Sequence, residues 1–182
     1  MKQVLILFGS PHKEGATARL LEAALAGMPG AQIARFDAFS LAPAPCDDCG
    51  YCHRADTCRH RDLDGFYEAL EAADVLIFAT PVYNRSFPAP MKAVLDRLQR
   101  YWAARFVRGV RPPIAKAKQT LLLTAGGDSR EDGAYLEPQL APILTILHST
   151  QAQAVHADGT DQGDLSPTAL AAAREAGEEV YA

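Results

Sequence analysis

Val4-Leu5-Ile6-Leu7-Phe8, running into Gly9-Ser10-Pro11-His12-Lys13-Glu14-Gly15-Ala16-Thr17, sets the reading of the whole chain. The apolar run has the length and composition of a fully buried strand. The stretch after it, Ala18 to Met28, repeats its apolar residues at helical spacing. A short polar turn from a strand into a helix leaves backbone N–H groups free at the helix start. With the positive end of the helix dipole they form a site for a phosphate. Ser10 and Thr17 add hydroxyl donors, and Gly9 and Gly15 let the backbone come close. Each hydrogen bond to a charged oxygen is worth about 1.5–3 kcal/mol, so roughly four or five would hold a phosphate monoester. An ordinary strand-to-helix turn with a Ser or Thr cap fits the same residues.

Outward from this stretch, apolar strands and amphipathic helices alternate. Pro29-Gly30 makes a break, and Ala31 to Phe36 reads as a second strand. Residues 40–61 look irregular, a length of loop that calls for a function or a staple. Asp62 or Asp64 can cap a helix running through Ala73, with Phe66 and Leu70 inward. Val75 to Ala79 is a third strand, ended by Thr80-Pro81, and Pro88 to Trp102 a further helix. Gln119 to Thr124 is the fourth strand, stopped by Gly126-Gly127. Leu136 to His148 is helical, with Pro138 in its first turn and Pro142 a candidate kink. Thr150 to His156, less apolar, suits an edge strand, and Ser166-Pro167 opens a last helix from Thr168 to Val180. Five strands in this alternation predict an α/β fold: a flavodoxin-like, doubly wound parallel sheet of order 2-1-3-4-5 with helices on both faces. Its ligand belongs beyond the carboxyl ends of strands one and three, where the winding reverses.

The 182 residues suit one domain, 1–182, with a cysteine-containing loop at about 43–61. An apolar fraction of 48% and a charged fraction of 22% are those of a soluble globular protein. A net charge of −4 argues against broad nucleic-acid binding. No apolar run approaches the roughly 20 residues that span a bilayer, so no membrane partner is expected. Lys2 leads directly into a strand without a small-residue cleavage site, so a cytoplasmic location is expected.

Three loops emerge together at one edge of such a sheet: Gly9–Thr17, Pro81–Pro88 and 125–133. In the second, Pro81-Val82-Tyr83-Asn84-Arg85-Ser86-Phe87-Pro88, Tyr83 and Phe87 offer aromatic faces and Asn84 a donor and an acceptor. That suits a flat heteroaromatic ring with polar edges; a turn whose aromatics tuck into the core is the alternative. The third, Gly126-Gly127-Asp128-Ser129, allows close backbone approach.

Gly9-Ser10-Pro11 with Thr17, and Pro81-Val82-Tyr83-Asn84 followed by Ser86, Pro88, Met91-Lys92 and Leu95-Asp96, resemble the two signatures of the flavodoxin-like NAD(P)H-dependent FMN reductase superfamily. The resemblance implies that Ser10, His12, Ala16 and Thr17 contact the FMN phosphate. It implies that Pro81, Val82, Tyr83 and Asn84 contact the ring and that Gly126 and Gly127 close its far side. Arg85 departs from the pattern, since a small residue, usually glycine, is common there; a long cation could cover the ring or meet the nicotinamide cofactor's phosphates. His12 fits a donor in the phosphate loop or an exposed surface histidine. No side chain stands out as a catalytic acid, base or nucleophile, which is expected where a flavin carries the chemistry.

Cys46, Cys49, Cys52 and Cys58 have the spacing C-x2-C-x2-C-x5-C, which wraps naturally round a compact inorganic centre. The spacing resembles the motif of the iron–sulfur flavoproteins, a branch of the same superfamily that binds a [4Fe–4S] cluster near FMN. Zinc with His53 and His60 as spare ligands, or unligated and reversibly oxidised thiols, are the alternatives. Asp47 and Asp48 add negative charge that disfavours an anionic cluster. The basic run Arg97, Arg100, Arg105, Arg108, Arg111, Lys116 and Lys118 reads as a solvated face, or as a funnel for phosphorylated nicotinamide or an acidic redox partner. Tyr101, Trp102 and Phe106 beside it suggest a subunit contact, and the resemblance implies a homodimer or homotetramer. The expected activity is electron transfer from NADH or NADPH through FMN to a small-molecule or protein acceptor. A [4Fe–4S] electron carrier, or a non-enzymatic metal- or thiol-sensing module, are the rivals.

Overall fold

The computed structural model describes residues 1–127, 132–161 and 164–182. In chain order these form β1 (Gln3–Phe8), α1 (Ala16–Ala26), β2 (Gln32–Asp37), α2 (Ala38–Leu41), α3 (Asp64–Ala72) and β3 (Val75–Pro81). There follow α4 (Ala89–Arg97), α5 (Gln99–Phe106), β4 (Lys118–Ala125), α6 (Glu137–Ile146), β5 (Ser149–Ala157) and α7 (Pro167–Tyr181). Short 3-10 turns at Tyr51–His53 and Asp132–Leu136 complete the order. The sheet runs β2-β1-β3-β4-β5 with every pair parallel. Order, direction and the edge position of β5 are those expected from the alternation of elements.

The period of two along each strand divides the apolar side chains between two cores. Leu5, Leu7, Leu76, Phe78 and Leu122 meet Leu70, Met91, Val94 and Leu140 on one face. Val4, Ile6, Phe8, Ile77 and Leu123 meet Leu20, Leu21, Ala173 and Val180 on the other. β1, β3 and β4 are therefore buried on both sides, which is why each reads as an uninterrupted apolar run. β2, at one edge, leaves Ile33 51% exposed.

Three local expectations change. Pro81 ends β3 from within the strand, paired with Ala125, since a missing N–H is harmless at a strand's last residue. The helix expected over 88–102 is two helices broken at Leu98, whose N–H turns back to the Leu95 carbonyl in a tighter turn. That turn swings Tyr101 inward, where its hydroxyl donates to Glu71 Oε1 at 2.8 Å; Tyr101 is a core residue, and only Trp102 and Phe106 of the suggested contact stay exposed. Neither aspartate caps α3, which starts after Leu63 without a side-chain cap; Asp62 is engaged by Arg97, and Asp64 lies in the first turn. The last helix keeps its expected start, with Ser166 Oγ accepting from the Ala169 N–H at 3.1 Å.

Lys118 and Lys116 supply the missing cap at the other end of α3. Lys118 Nζ donates to the carbonyls of Glu71 and Ala73, and Lys116 Nζ to that of Ala72. Burial pushes Lys118 down to about 8. Between that value and the ordinary lysine range near 10.4, the unfolded chain holds a proton that the folded chain lacks. Stability therefore rises with pH in this window, by up to about 1.4 kcal/mol per unit. Urea denaturation should show wild type gaining on Lys118→Met between pH 7 and 10; a constant difference would mean that Lys118 stays charged.

Candidate functional site

At the carboxyl edge of the sheet the loops after β1, β3, β4 and β5 enclose a crevice of about 370 Å³, within the range of small-molecule sites. Ser10, His12, Gly15, Ala16 and Thr17 form its first wall. The His12 N–H donates to Ser10 Oγ at 3.1 Å, which fixes the bend of the turn. Gly15 precedes α1 in extended backbone, and no side chain caps the helix. The Ser or Thr cap of the alternative reading is therefore not formed. An uncapped helix start bordered by two buried hydroxyls, Ser10 and Thr17, suits an anion. His12 is exposed and lines the crevice as well.

The second wall is Pro81, Val82 and Tyr83. Tyr83 and Ser86 exchange both backbone hydrogen bonds, at 3.0 and 2.9 Å, around Asn84 and Arg85. Both central residues are left-handed, φ 50° and 57°, as the tightest hairpin turn demands. Asparagine tolerates this conformation; for arginine it is uncommon, and here neighbours hold it. Arg85 Nε donates to Asp132 Oδ1 at 3.1 Å, its guanidinium lies 4.6 Å from the Tyr135 ring, and its carbonyl accepts from Gln139 Nε2. The cation is thus tied to the 3-10 turn before α6, and neither it nor Asn84 lines the crevice. Of the two aromatic faces, Tyr83 is 43% exposed at the crevice while Phe87 packs into the core.

Ala125 and Gly127 form the third wall. Gly126 stands one step behind, its N–H on the Ala157 carbonyl and its own carbonyl accepting from the Thr160 N–H and Oγ1. Asp128 and Ser129 lie outside the described residues. A fourth wall, Thr160 and Asp161 after β5, was not anticipated. The polar Asp158-Gly159-Thr160-Asp161 run following the fifth strand was the signal, since every strand of a parallel sheet delivers its loop to this edge. A Cβ on Gly127 would overlap the Asp161 carboxylate, so glycine here lets the two loops meet without displacing that side chain.

Behind this edge Thr124 Oγ1 meets His156 Nδ1 at 2.8 Å, and His156 Nε2 meets Glu137 Oε1 at 2.9 Å. The residue types are those of a hydrolytic triad, but the two ring nitrogens are exchanged: in a triad the nucleophile meets Nε2 and the carboxylate Nδ1. Thr124 is also wholly buried, so no substrate carbonyl reaches it.

The four cysteines come together elsewhere. Cys46, Cys49, Cys52 and Cys58 are free thiols lining one pocket, with His53 and His60 beside them. Burial pushes the Cys52 thiol up, and the nearby thiols of Cys46, Cys58 and Cys49 add to the shift. Among the described residues no three His, Cys, Asp or Glu side chains are grouped closely enough to hold a single metal ion. A zinc ion, with thiolates at about 2.3 Å, would require them to draw inward. Asp47 pairs with Arg59 at 2.8 Å and lies 3.7 Å from His60 Nε2, which offsets the charge that weighed against an anionic centre. The basic run is not a plain solvated face: Arg97, Arg100 and Lys118 are buried, and the two arginines reach into the cysteine loop. No described helix is long and apolar enough to cross a membrane.

The profile of a family described as NADPH-dependent FMN reductase matches residues 2–161. An FMN-dependent NADH:quinone oxidoreductase of Nostoc sp. is 30% identical over 122 residues, 62% of this chain and 59% of that one. An iron-sulfur flavoprotein of Archaeoglobus fulgidus is 33% identical over 141 residues, 75% of this chain and 60% of that one. The chain thus spans less than two thirds of the length of these curated relatives. In three dimensions, an NAD(P)H:quinone oxidoreductase from Methanothermobacter marburgensis superposes with a TM-score of 0.70 at 18% identity, covering 100% of this chain and 98% of that one. At that identity the likeness speaks for the fold.

Proposed function

The chain belongs to the NADPH-dependent FMN reductase family, and from that premise we propose that its crevice seats FMN and that the protein passes electrons from NADH or NADPH to an acceptor. The observation that carries this reading is the uncapped start of α1, with Ser10 and Thr17 buried beside it, at one end of a crevice walled by Pro81, Val82 and Tyr83. Ser10, His12, Ala16 and Thr17 would hold the phosphate by hydroxyl and backbone donors. Pro81, Val82 and Tyr83 would flank the ring, with Gly127 on its far side, while Asn84 and Gly126, which stand behind the crevice lining, would act by shaping the two loops. FMN, when bound, supplies the hydride acceptance and the onward electron transfer. The protein's part is to orient it and to leave a mouth, bordered by half-exposed Tyr83, through which donor and acceptor come. A quinone, free flavin, an azo or nitro compound or a redox protein could serve as acceptor. Residues 1–182 would act as one domain in a reducing cytoplasm, where four free thiols persist.

Titrating the protein with FMN should quench flavin fluorescence at one equivalent, and the loaded protein should oxidise NADH or NADPH when a quinone is present. No uptake of FMN would remove the reading.

A second reading is favoured by the gathering of four free thiols, spaced C-x2-C-x2-C-x5-C, round one pocket. Cys46, Cys49, Cys52 and Cys58 would hold a [4Fe–4S] cluster, which would make the chain an iron–sulfur electron carrier. Iron and sulfide counts near parity after anaerobic purification support it; protein free of both removes it.

A further inference from the structure

We propose that Arg97 is the positioning residue of the cysteine loop: it clasps both ends of the segment 44–62 and gathers the four thiols before any inorganic centre is bound. The inference depends on the cluster reading only for what the pocket would hold.

Arg97 is the last residue of α4, and its side chain is 1% exposed. One terminal nitrogen donates to the Ala44 carbonyl at 3.0 Å and to Asp62 Oδ2 at 3.2 Å. The other donates to the His60 carbonyl at 2.9 Å and to Asp62 Oδ1 at 2.8 Å. Asp62 Oδ2 also accepts from the Ala44 N–H at 2.9 Å. Ala44 lies two residues before the first cysteine, and His60 two residues after the last. One guanidinium thus fastens the entry and the exit of the loop to each other. The Tyr67 hydroxyl, donating to the Arg97 carbonyl at 3.2 Å, ties the clasp to the core.

Only a planar, permanently charged fork can meet two carbonyls and a bidentate carboxylate together; a lysine ammonium would reach a fraction of them. Arg100 and Arg108 pin the middle of the loop, donating to the carbonyl and the carboxylate of Asp56 at 2.9 and 2.7 Å. The loop itself adds little to either core, Cys58 being its one cysteine packed against them. Its shape therefore depends on these polar ties. Arg97 is also among the residues that line the thiol pocket, so the residue that closes the loop borders what the pocket receives.

The test is cysteine-resolved labelling of metal-free, full-length protein by iodoacetamide, read by mass spectrometry. Arg97→Gln should speed labelling of half-buried Cys52 and Cys58 at least tenfold, and change that of exposed Cys49 less than twofold. The faster rate should be independent of urea well below the unfolding transition, the mark of local opening. Methylguanidinium added to Arg97→Ala should restore slow labelling, which refilling a merely space-filling position with an aliphatic additive such as propanol would not do. If Arg97→Gln fails to fold, Asp62→Asn, which removes one of the fork's four acceptors and the carboxylate's charge, should give at least a threefold increase. Wild-type rates at Cys52 and Cys58 in these variants, or rates that follow global unfolding, would overturn the proposal. Because the labelled chain carries no metal, the result does not depend on whether the pocket takes iron.

Discussion

Thr17→Asp is expected to lower FMN affinity at least a thousandfold while the chain remains folded. Thr17 is 3% exposed, in the first turn of α1, at the crevice end proposed for the phosphate. Removing its hydroxyl forfeits a hydrogen bond to a charged oxygen, about 1.5–3 kcal/mol. The new carboxylate adds repulsion of about 4 kcal/mol per unit charge at about 4 Å, with an effective dielectric near 20. Together these exceed the roughly 4 kcal/mol that a factor of a thousand represents. The helix reacts in the opposite sense, since an acidic residue in a first turn gains about 0.3–1 kcal/mol from the macrodipole. Desolvating a carboxylate at this buried position opposes that gain, so the melting temperature should fall modestly while the protein stays cooperatively folded. Riboflavin, which lacks the phosphate, is the control, and its affinity should shift less than tenfold in the same fluorescence titration. Equal losses for the two flavins would take Thr17 away from the phosphate.

Gly177→Val is expected to cost about 3 kcal/mol or more of stability. At this point α7 lies directly on α1: a Cβ on Gly177 would stand 2.1 Å from the Ala24 carbonyl oxygen and 2.9 Å from its carbon. Those are backbone atoms of another helix, so no rotamer change relieves them. Ordinary overpacking costs about 1–3 kcal/mol, and a fixed obstacle falls at the high end or beyond. The opposing gain in helix propensity over glycine is only about half a kcal/mol. Gly65, in the first turn of α3 with nothing within 4 Å of its would-be Cβ, supplies the contrast, and Gly65→Ala should gain about 0.5–1 kcal/mol. Urea midpoints of the two variants should move in opposite directions. A Gly177→Val protein as stable as wild type would contradict the spacing of the two helices.

What could be read in advance follows from how local each cause is. The strands of β1, β3 and β4 announce themselves because burial on both faces demands unbroken apolar runs, and their order follows from the alternation with helices. The crevice was legible at Ser10, Thr17 and Pro81–Tyr83, where turn chemistry is written in adjacent residues. Asp161 was not, because it joins the crevice through the topology of β5. The break at Leu98 carries no Gly or Pro, and it answers to Tyr101 seeking the core. Arg97 and Arg100 looked like surface charge because their partners, Asp62 and the Asp56 carbonyl, lie more than thirty residues away. The spacing of the cysteines foretold their assembly; what assembles them is an arginine no spacing rule marks.

α4 works as a gauge rod between the two pockets. Its start follows the hairpin of the crevice wall, and its last residue is Arg97. Nine residues at about 1.5 Å each set its length near 13 Å, and Met91, Val94 and Leu95 sink it in the core. Lengthening it by one residue would turn everything beyond the insertion through about 100°. The arginine would then face away from Ala44 and His60 while the hairpin upstream kept its place, uncoupling the thiol loop from the crevice.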